Sequence, residues 1–173
     1  VTVTAAYPRL AREGGTAFEA EAWANVSGPE DIAAHLQARL VGLSGTVYGE
    51  VTSTHTLAGD RATRLAALTS WTVPVDEQGF FLDLTLTAAD GRVLAANRYL
   101  FGVGTDLRPL LGAPRTNLTI EQNQDNMTIR NTGQAAALNV WIEDARPVRS
   151  AGYVYFDDNY FSLLPGEGRT IAV

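Results

Sequence analysis

GYVYFDDNYFSLLPGE, residues 152–167, crowds Tyr153, Tyr155, Phe156, Tyr160 and Phe161 around three polar residues and a Pro-Gly pair. In an extended segment Tyr153 and Tyr155 share one face, and Val154 and Phe156 share the other. Asp157, Asp158 and Asn159 then interrupt the strand, because their short side chains bind nearby backbone N–H groups and tolerate tight-turn dihedrals. Tyr160 and Phe161 are expected to re-enter the apolar layer, with Leu163 and Leu164 continuing it. Pro165-Gly166 fits the two central positions of a type II turn. A last strand, 169–173, follows. The stretch reads as the corner of a β-sandwich.

Working outward, the same period-two signal recurs along the chain. Val1 to Ala6 alternates Val and Thr, and Tyr7-Pro8 and Gly14-Gly15 mark a loop. In residues 17–26, Phe18, Ala20, Ala22, Ala24 and Val26 fall on one side, with Glu19, Glu21, Trp23 and Asn25 on the other. Residues 27–43 set two signals against each other. Ser27 with Glu30, and Ile32, Leu36 and Leu40 at four-residue spacing, resemble a helix start. Leu36, Ala38 and Leu40 also alternate with polar neighbours, and a strand from about His35 to Leu43 is favoured. Strands over 46–56, 65–73, 80–87 and 93–101 complete a first set, the last pair joined by an Asp90-Gly91 hairpin turn. Turn signals at this spacing mark an immunoglobulin-like sandwich without its disulfide.

Residues 102–114 (GVGTDLRPLLGAP) form a Gly- and Pro-rich connector. Strands at 117–121, 127–130 and 135–143, the Asn131-Thr132-Gly133 turn and the aromatic corner build a second unit. The expectation is all-β: an immunoglobulin-like sandwich over 1–103, a linker over 104–115, and a second sandwich over 116–173 that stops before its final strands and leaves an open edge. The start at Val1 reads as an excised piece.

Composition narrows the function. The chain has 173 residues, 46% of them hydrophobic, enough for packed cores. No apolar run of membrane-spanning length and no export signal are read in it. A net charge of −6 argues against nucleic acid, whose phosphates need a basic stripe. All 13 basic residues are Arg, a composition that points to a GC-rich bacterial genome. With no Cys, disulfides and thiolate chemistry are excluded, and the cellular compartment stays open. His35 and His55 are isolated and lack metal-site spacing. The three Asn-X-Ser/Thr triplets, at Asn25, Asn117 and Asn126, are the kind that Thr-rich strands produce by chance.

FEAEAWANVSGPEDIAAHLQARL, AANRYLFG, the NTGQAAALNVWIEDARP run and DDNYFSLLPGEGRTIAV resemble the C-terminal immunoglobulin-like domains of glycoside hydrolase family 2 enzymes, in the β-mannosidase and exo-β-glucosaminidase branch. The resemblance implies an upstream TIM-barrel catalytic domain in the same polypeptide and a retaining exo-glycosidase with two catalytic Glu residues. The family's acid/base Glu follows an Asn, and no Asn-Glu dipeptide occurs here. A barrel's βαβ alternation is also missing. No catalytic residue and no cofactor is assigned, and the chain is read as accessory to carbohydrate hydrolysis.

Two groups of side chains invite a binding role. Trp23 and Trp141 each sit opposite their strand's aliphatic row, Trp141 beside Asn139 and Glu143. An exposed indole next to a carboxylate suits a sugar, whose apolar face stacks on the ring while its hydroxyls are bonded. Packing against another domain, or burial within their own, would also explain these indoles. Asp157 and Asp158 could ligate calcium, with Glu143 and Asp144 adding oxygens; the alternative is a turn whose carboxylates hold backbone N–H groups. A carbohydrate-binding module, or an adhesion sandwich with no enzyme attached, are the competing functions.

Overall fold

The computed structural model describes residues 1–6, 17–102, 106–147 and 152–173. The expected loop at Tyr7-Pro8 and Gly14-Gly15 and the first part of the connector lie outside the described residues. The chain divides after Ala113 into a larger unit, Val1–Ala113, and a smaller one, Pro114–Val173.

The larger unit is a sandwich of two antiparallel sheets. Strands β1 (Thr2–Ala6), β2 (Ala17–Asn25) and β5 (Ala62–Thr72) form one sheet in the order β1-β2-β5. β3 (Ile32–Gly42), β4 (Val47–Leu57), β6 (Phe80–Ala88) and β7 (Val93–Phe101) form the other, in the order β4-β3-β6-β7. The strand signal therefore wins over the helical one in 27–43, and its strand starts three residues before His35. The reason is tertiary. Both edges of β3 are hydrogen-bonded, to β4 and to β6, and Ala34, Leu36, Ala38 and Leu40 all point into the core. A helix would have buried Ile32, Leu36 and Leu40 but turned Ala34 and Ala38 away. Ser27 to Glu30 serves a loop instead, where the Gly28 N–H donates to Asp60 Oδ1 at 2.7 Å.

Alternation in β6 sends Phe80, Leu82, Leu84 and Leu86 inward against Phe18, Leu65 and Leu68 of the facing sheet. Phe80 stacks on Phe101 at 5.3 Å and meets Phe18 edge-on at 5.7 Å. Each fully buried Leu or Phe contributes about 1.5–3 kcal/mol. Trp71 of β5 lies flat on the backbone of Gly49 in β4, where any β-carbon would overlap the indole. On the solvent side of β6, Asp83 is buried and receives Arg98 Nη2 at 2.8 Å and Arg39 Nη2 at 3.4 Å. A short 3-10 helix, Arg108–Gly112, ends the unit in what the sequence suggested was plain linker. Leu110 of that helix lies against Gly79, close enough to clash with an added β-carbon.

The smaller unit pairs β8 (Leu118–Gln122), β9 (Asn126–Asn131) and β12 (Gly168–Ala172) in the order β12-β9-β8. β10 (Ala137–Val140) pairs with β11 (Phe161–Leu163). Ile129, Ala137, Phe161, Leu163 and Ile171 fill the space between the two sheets. The turn at Pro165-Gly166 forms as expected: Gly166 has φ +81°, and the Glu167 N–H donates to Leu164 O at 3.0 Å.

Two expectations fail here. Residues 153–156 belong to no strand, and Tyr160 stays at the surface, 62% exposed, instead of entering the apolar layer. Tyr160 immediately precedes β11 with left-handed backbone, φ +59°, and its ring lies beside Trp141.

Candidate functional site

An exposed grouping of chemistry-bearing side chains in the smaller unit is built where β10 ends. Ala137 pairs with Leu163 and Val140 with Phe161, so three residues of β10 span the distance of two in β11. Asn139 absorbs the extra residue with φ +53°, and its N–H donates to Ser162 Oγ at 3.1 Å. This bulge lets both Ala137 and Val140 face the core. It also ends the ladder before Trp141.

Beyond the bulge the chain is held by one side chain. Asn159 Oδ1 accepts the Ile142 N–H at 2.8 Å and the Tyr160 N–H at 3.0 Å, and Asn159 Nδ2 donates to Ile142 O at 2.8 Å. The amide thus replaces a missing strand neighbour on both sides of Ile142. Ile142 packs on the core, and Trp141 and Glu143 are turned outward. Trp141 is 62% exposed and lies nearly parallel to Tyr160, with ring centroids 6.3 Å apart and planes inclined by 12°. Tyr153 and Tyr155 of the same stretch are also exposed.

The carboxylates around it differ in occupation. Asp144 is gripped by Arg146 through Nε at 3.0 Å and Nη2 at 2.8 Å. That pairing, with the Arg146 N–H as a second donor, holds the Asp144 carboxyl below its ordinary value and raises Arg146. Glu143 is exposed and has no ion-pair partner among the described residues.

Asp157 and Asp158 bind their own chain. Asp157 Oδ1 accepts the Ala172 N–H at 2.8 Å, tying the corner to β12. Asp158 Oδ1 accepts the Asn159 N–H at 2.9 Å, and Oδ2 pairs with Arg169. Among the described residues, no group of three or more His, Asp or Glu is placed to hold a metal ion.

Trp23 is half-buried on the outward face of β2, in the other unit from Trp141. Its Nε1–H donates to Glu21 at 3.2 Å, and Glu21 also receives Arg64 at 2.7 Å. Its polar edge is thus occupied within its own sheet.

His35 and His55 lie on opposite faces of their sheet, since His35 pairs with Thr54 and His55 with Ala34. His35 Nδ1 shares a hydrogen bond with Thr54 Oγ1 at 2.9 Å, at the edge of a shallow polar depression of roughly 310 Å³ lined by Gln37, Thr52, Thr85 and Thr87.

Sequence reasoning singled out Trp141 and Glu143 but missed Tyr160 as the ring beside Trp141 and Asn159 as the clamp. The Asp-Asp-Asn run signalled a turn. Nothing in the local sequence signalled which backbone, seventeen residues earlier, that Asn would hold.

Residues 111–173 match the Ig_mannosidase family, an Ig-fold domain. No curated protein matches the chain. Among solved structures, the exo-chitosanase of Amycolatopsis orientalis shares the fold over 98% of this chain, with 20% identity and a TM-score of 0.63. The β-D-mannosidase of Dictyoglomus thermophilum also shares it over 98%, with 13% identity and a TM-score of 0.63. The chain spans 23% and 19% of the lengths of those two proteins. The resemblance read from the sequence is borne out: the chain carries immunoglobulin-like β-sandwich architecture of the kind found in family 2 glycoside hydrolases.

Proposed function

We propose that this chain is a pair of consecutive accessory domains of a retaining exo-β-glycosidase of the family 2 class, of β-mannosidase or exo-β-glucosaminidase type. In this reading hydrolysis belongs to a TIM-barrel catalytic domain of the same polypeptide, and these sandwiches support it without a catalytic residue of their own. The observation that carries the reading is the likeness of 98% of the chain, both units together, to portions of two such glycosidases, with the Ig_mannosidase match over 111–173. The test compares the full polypeptide with a version lacking these residues, and assays the isolated chain on p-nitrophenyl β-D-glucosaminide and β-D-mannoside. Loss of stability or activity on deletion, with no turnover by the chain alone, is the expected result. Turnover that persists through repurification and tracks with the isolated chain would refute it.

A second reading, a carbohydrate-binding module using Trp23, Trp141 and Glu143, is favoured by one observation. Trp141 is 62% exposed at a position the backbone fixes, whereas a structural indole is normally covered. Trp23, whose polar edge is engaged by Glu21, has the weaker support.

A further inference from the structure

We infer that the smaller unit holds a slot for one more β-strand, bounded by the free edge of β10 and the core-facing side of β8, and that a segment of the same polypeptide outside residues 1–173 fills it. The inference rests on the reading above that these residues belong to a longer glycosidase polypeptide. It adds the place and the form of one contact with the remainder.

β8 carries an apolar face with no layer over it. Its register sets Leu118 opposite Asn131, Ile120 opposite Ile129 and Gln122 opposite Met127. Directly opposed residues of an antiparallel pair point to the same side of their sheet. Asn131 and Ile129 are buried and Met127 packs on the core of the unit, so Leu118 and Ile120 face the core side too. They are nevertheless 39% and 61% exposed. An exposed Leu or Ile on the solvent side of a sheet is ordinary. On the inner side of a sandwich it marks a position that the facing sheet normally covers.

The facing sheet shows what shape belongs there. The Arg169 guanidinium of β12 lies over the Phe161 ring of β11 at 5.2 Å, so β11 covers β12. Ala137 and Val140 of β10 pack in the cluster that holds Ile129 of β9, so β10 covers β9. The place beside β10, on the side away from β11, therefore lies over β8. Among the described residues β10 has no strand neighbour there. An unpaired strand edge next to an uncovered apolar face fits an extended segment, which pairs its backbone with β10 and turns alternate apolar side chains onto Leu118 and Ile120. Two arguments place the source in the same polypeptide. This chain spans 23% and 19% of the two glycosidases that share its fold, so most of such a polypeptide lies outside these residues. A segment tethered nearby also meets the slot at an effective concentration on the order of millimolar, which a separate molecule does not reach.

The chain has no Cys, so a single introduced thiol reports on its own position. The test compares maleimide labelling of Ile120→Cys with that of Thr119→Cys, the exposed neighbour on the opposite side of β8, in the 173-residue chain and in the full polypeptide. Mass spectrometry of the digested protein locates the label. In the 173-residue chain both thiols should react freely. In the full polypeptide Ile120→Cys should react at least about tenfold more slowly, because labelling then waits for a local opening, and Thr119→Cys should be unchanged. Equal rates at the two positions in the full polypeptide would overturn the slot. Slowing at both would mean that a broader surface lies over the edge of β8, and would overturn the strand. If Ile120→Cys in the 173-residue chain slows as protein concentration rises, the occupant is a second copy, which overturns the source. Should Ile120→Cys fail to fold, judged by its urea midpoint, Leu118→Cys on the same side takes its place. None of these outcomes measures turnover, so the accessory role stands or falls on the deletion test above.

Discussion

Asn131 shows how much of the smaller unit depends on one amide. It is fully buried, and its Nδ2 donates to Ala135 O at 2.7 Å and Leu163 O at 2.9 Å. Its Oδ1 accepts from Thr116 Oγ1 at 2.7 Å and the Gly133 N–H at 3.0 Å. Asn131→Ala leaves several of these groups unpaired and is expected to destabilise the unit by about 3 kcal/mol, read as a lower urea midpoint at unchanged slope. The Asn131-Thr132-Gly133 turn was legible in the sequence, because Asn and Gly favour turns locally. The hub was not, because Leu163 reaches it only through the register of another strand. The same limit hid Asn159, whose replacement by Ala is expected to cost about 1–2 kcal/mol. Asp144 permits a test by pH. Arg146 depresses its carboxyl, so the stability it contributes is present above the unfolded-state value of about 3.9 and is lost as pH falls through the lower folded value. Because the two residues are exposed and close in sequence, the pairing survives in part on unfolding, and the effect on stability is small. The direct measurement is the carboxyl titration by carbon-detected NMR: Arg146→Ala should move the Asp144 midpoint up toward the ordinary range.

Among the elements, β3 carries the clearest lesson about competing signals. Its sequence contains a helical spacing and a strand alternation, and the two differ in whether Ala34 and Ala38 face the core. Both are fully buried. Small side chains made the strand signal faint, because an Ala scarcely registers as apolar beside Leu. Hydrogen-bonded neighbours on both edges supplied what propensity did not. Leu40→Ala, which empties a fully buried position near the C-terminal end of this strand, is expected to cost about 2–5 kcal/mol. By contrast Trp141→Ala, beyond the end of β10, is expected to change stability by less than about 0.5 kcal/mol. Comparing the two urea midpoints separates a residue that builds the fold from one that the fold displays. The β10 bulge was illegible, since the run Ala135 to Glu143 reads as an unbroken alternation and its interruption comes from pairing with β11.

For the molecule as a whole, the alternating pattern was enough to give the all-β architecture, because the period of apolar residues determines which layers form. The end of the first unit was less visible: the 3-10 helix after Phe101 returns Leu110 to Gly79, a contact between distant parts of the chain. Residues 1–113 contain a complete core of their own and are expected to unfold cooperatively when produced alone. A broad, non-cooperative urea transition would show that this core needs residues beyond Ala113. Trp71 resting on Gly49 offers a way to watch it. In a variant carrying Trp23→Phe and Trp141→Phe, the remaining indole is an optical gauge of the gap between β4 and β5. Access of a small quencher such as acrylamide would then time how often that edge breathes, well before the rest of the sandwich melts.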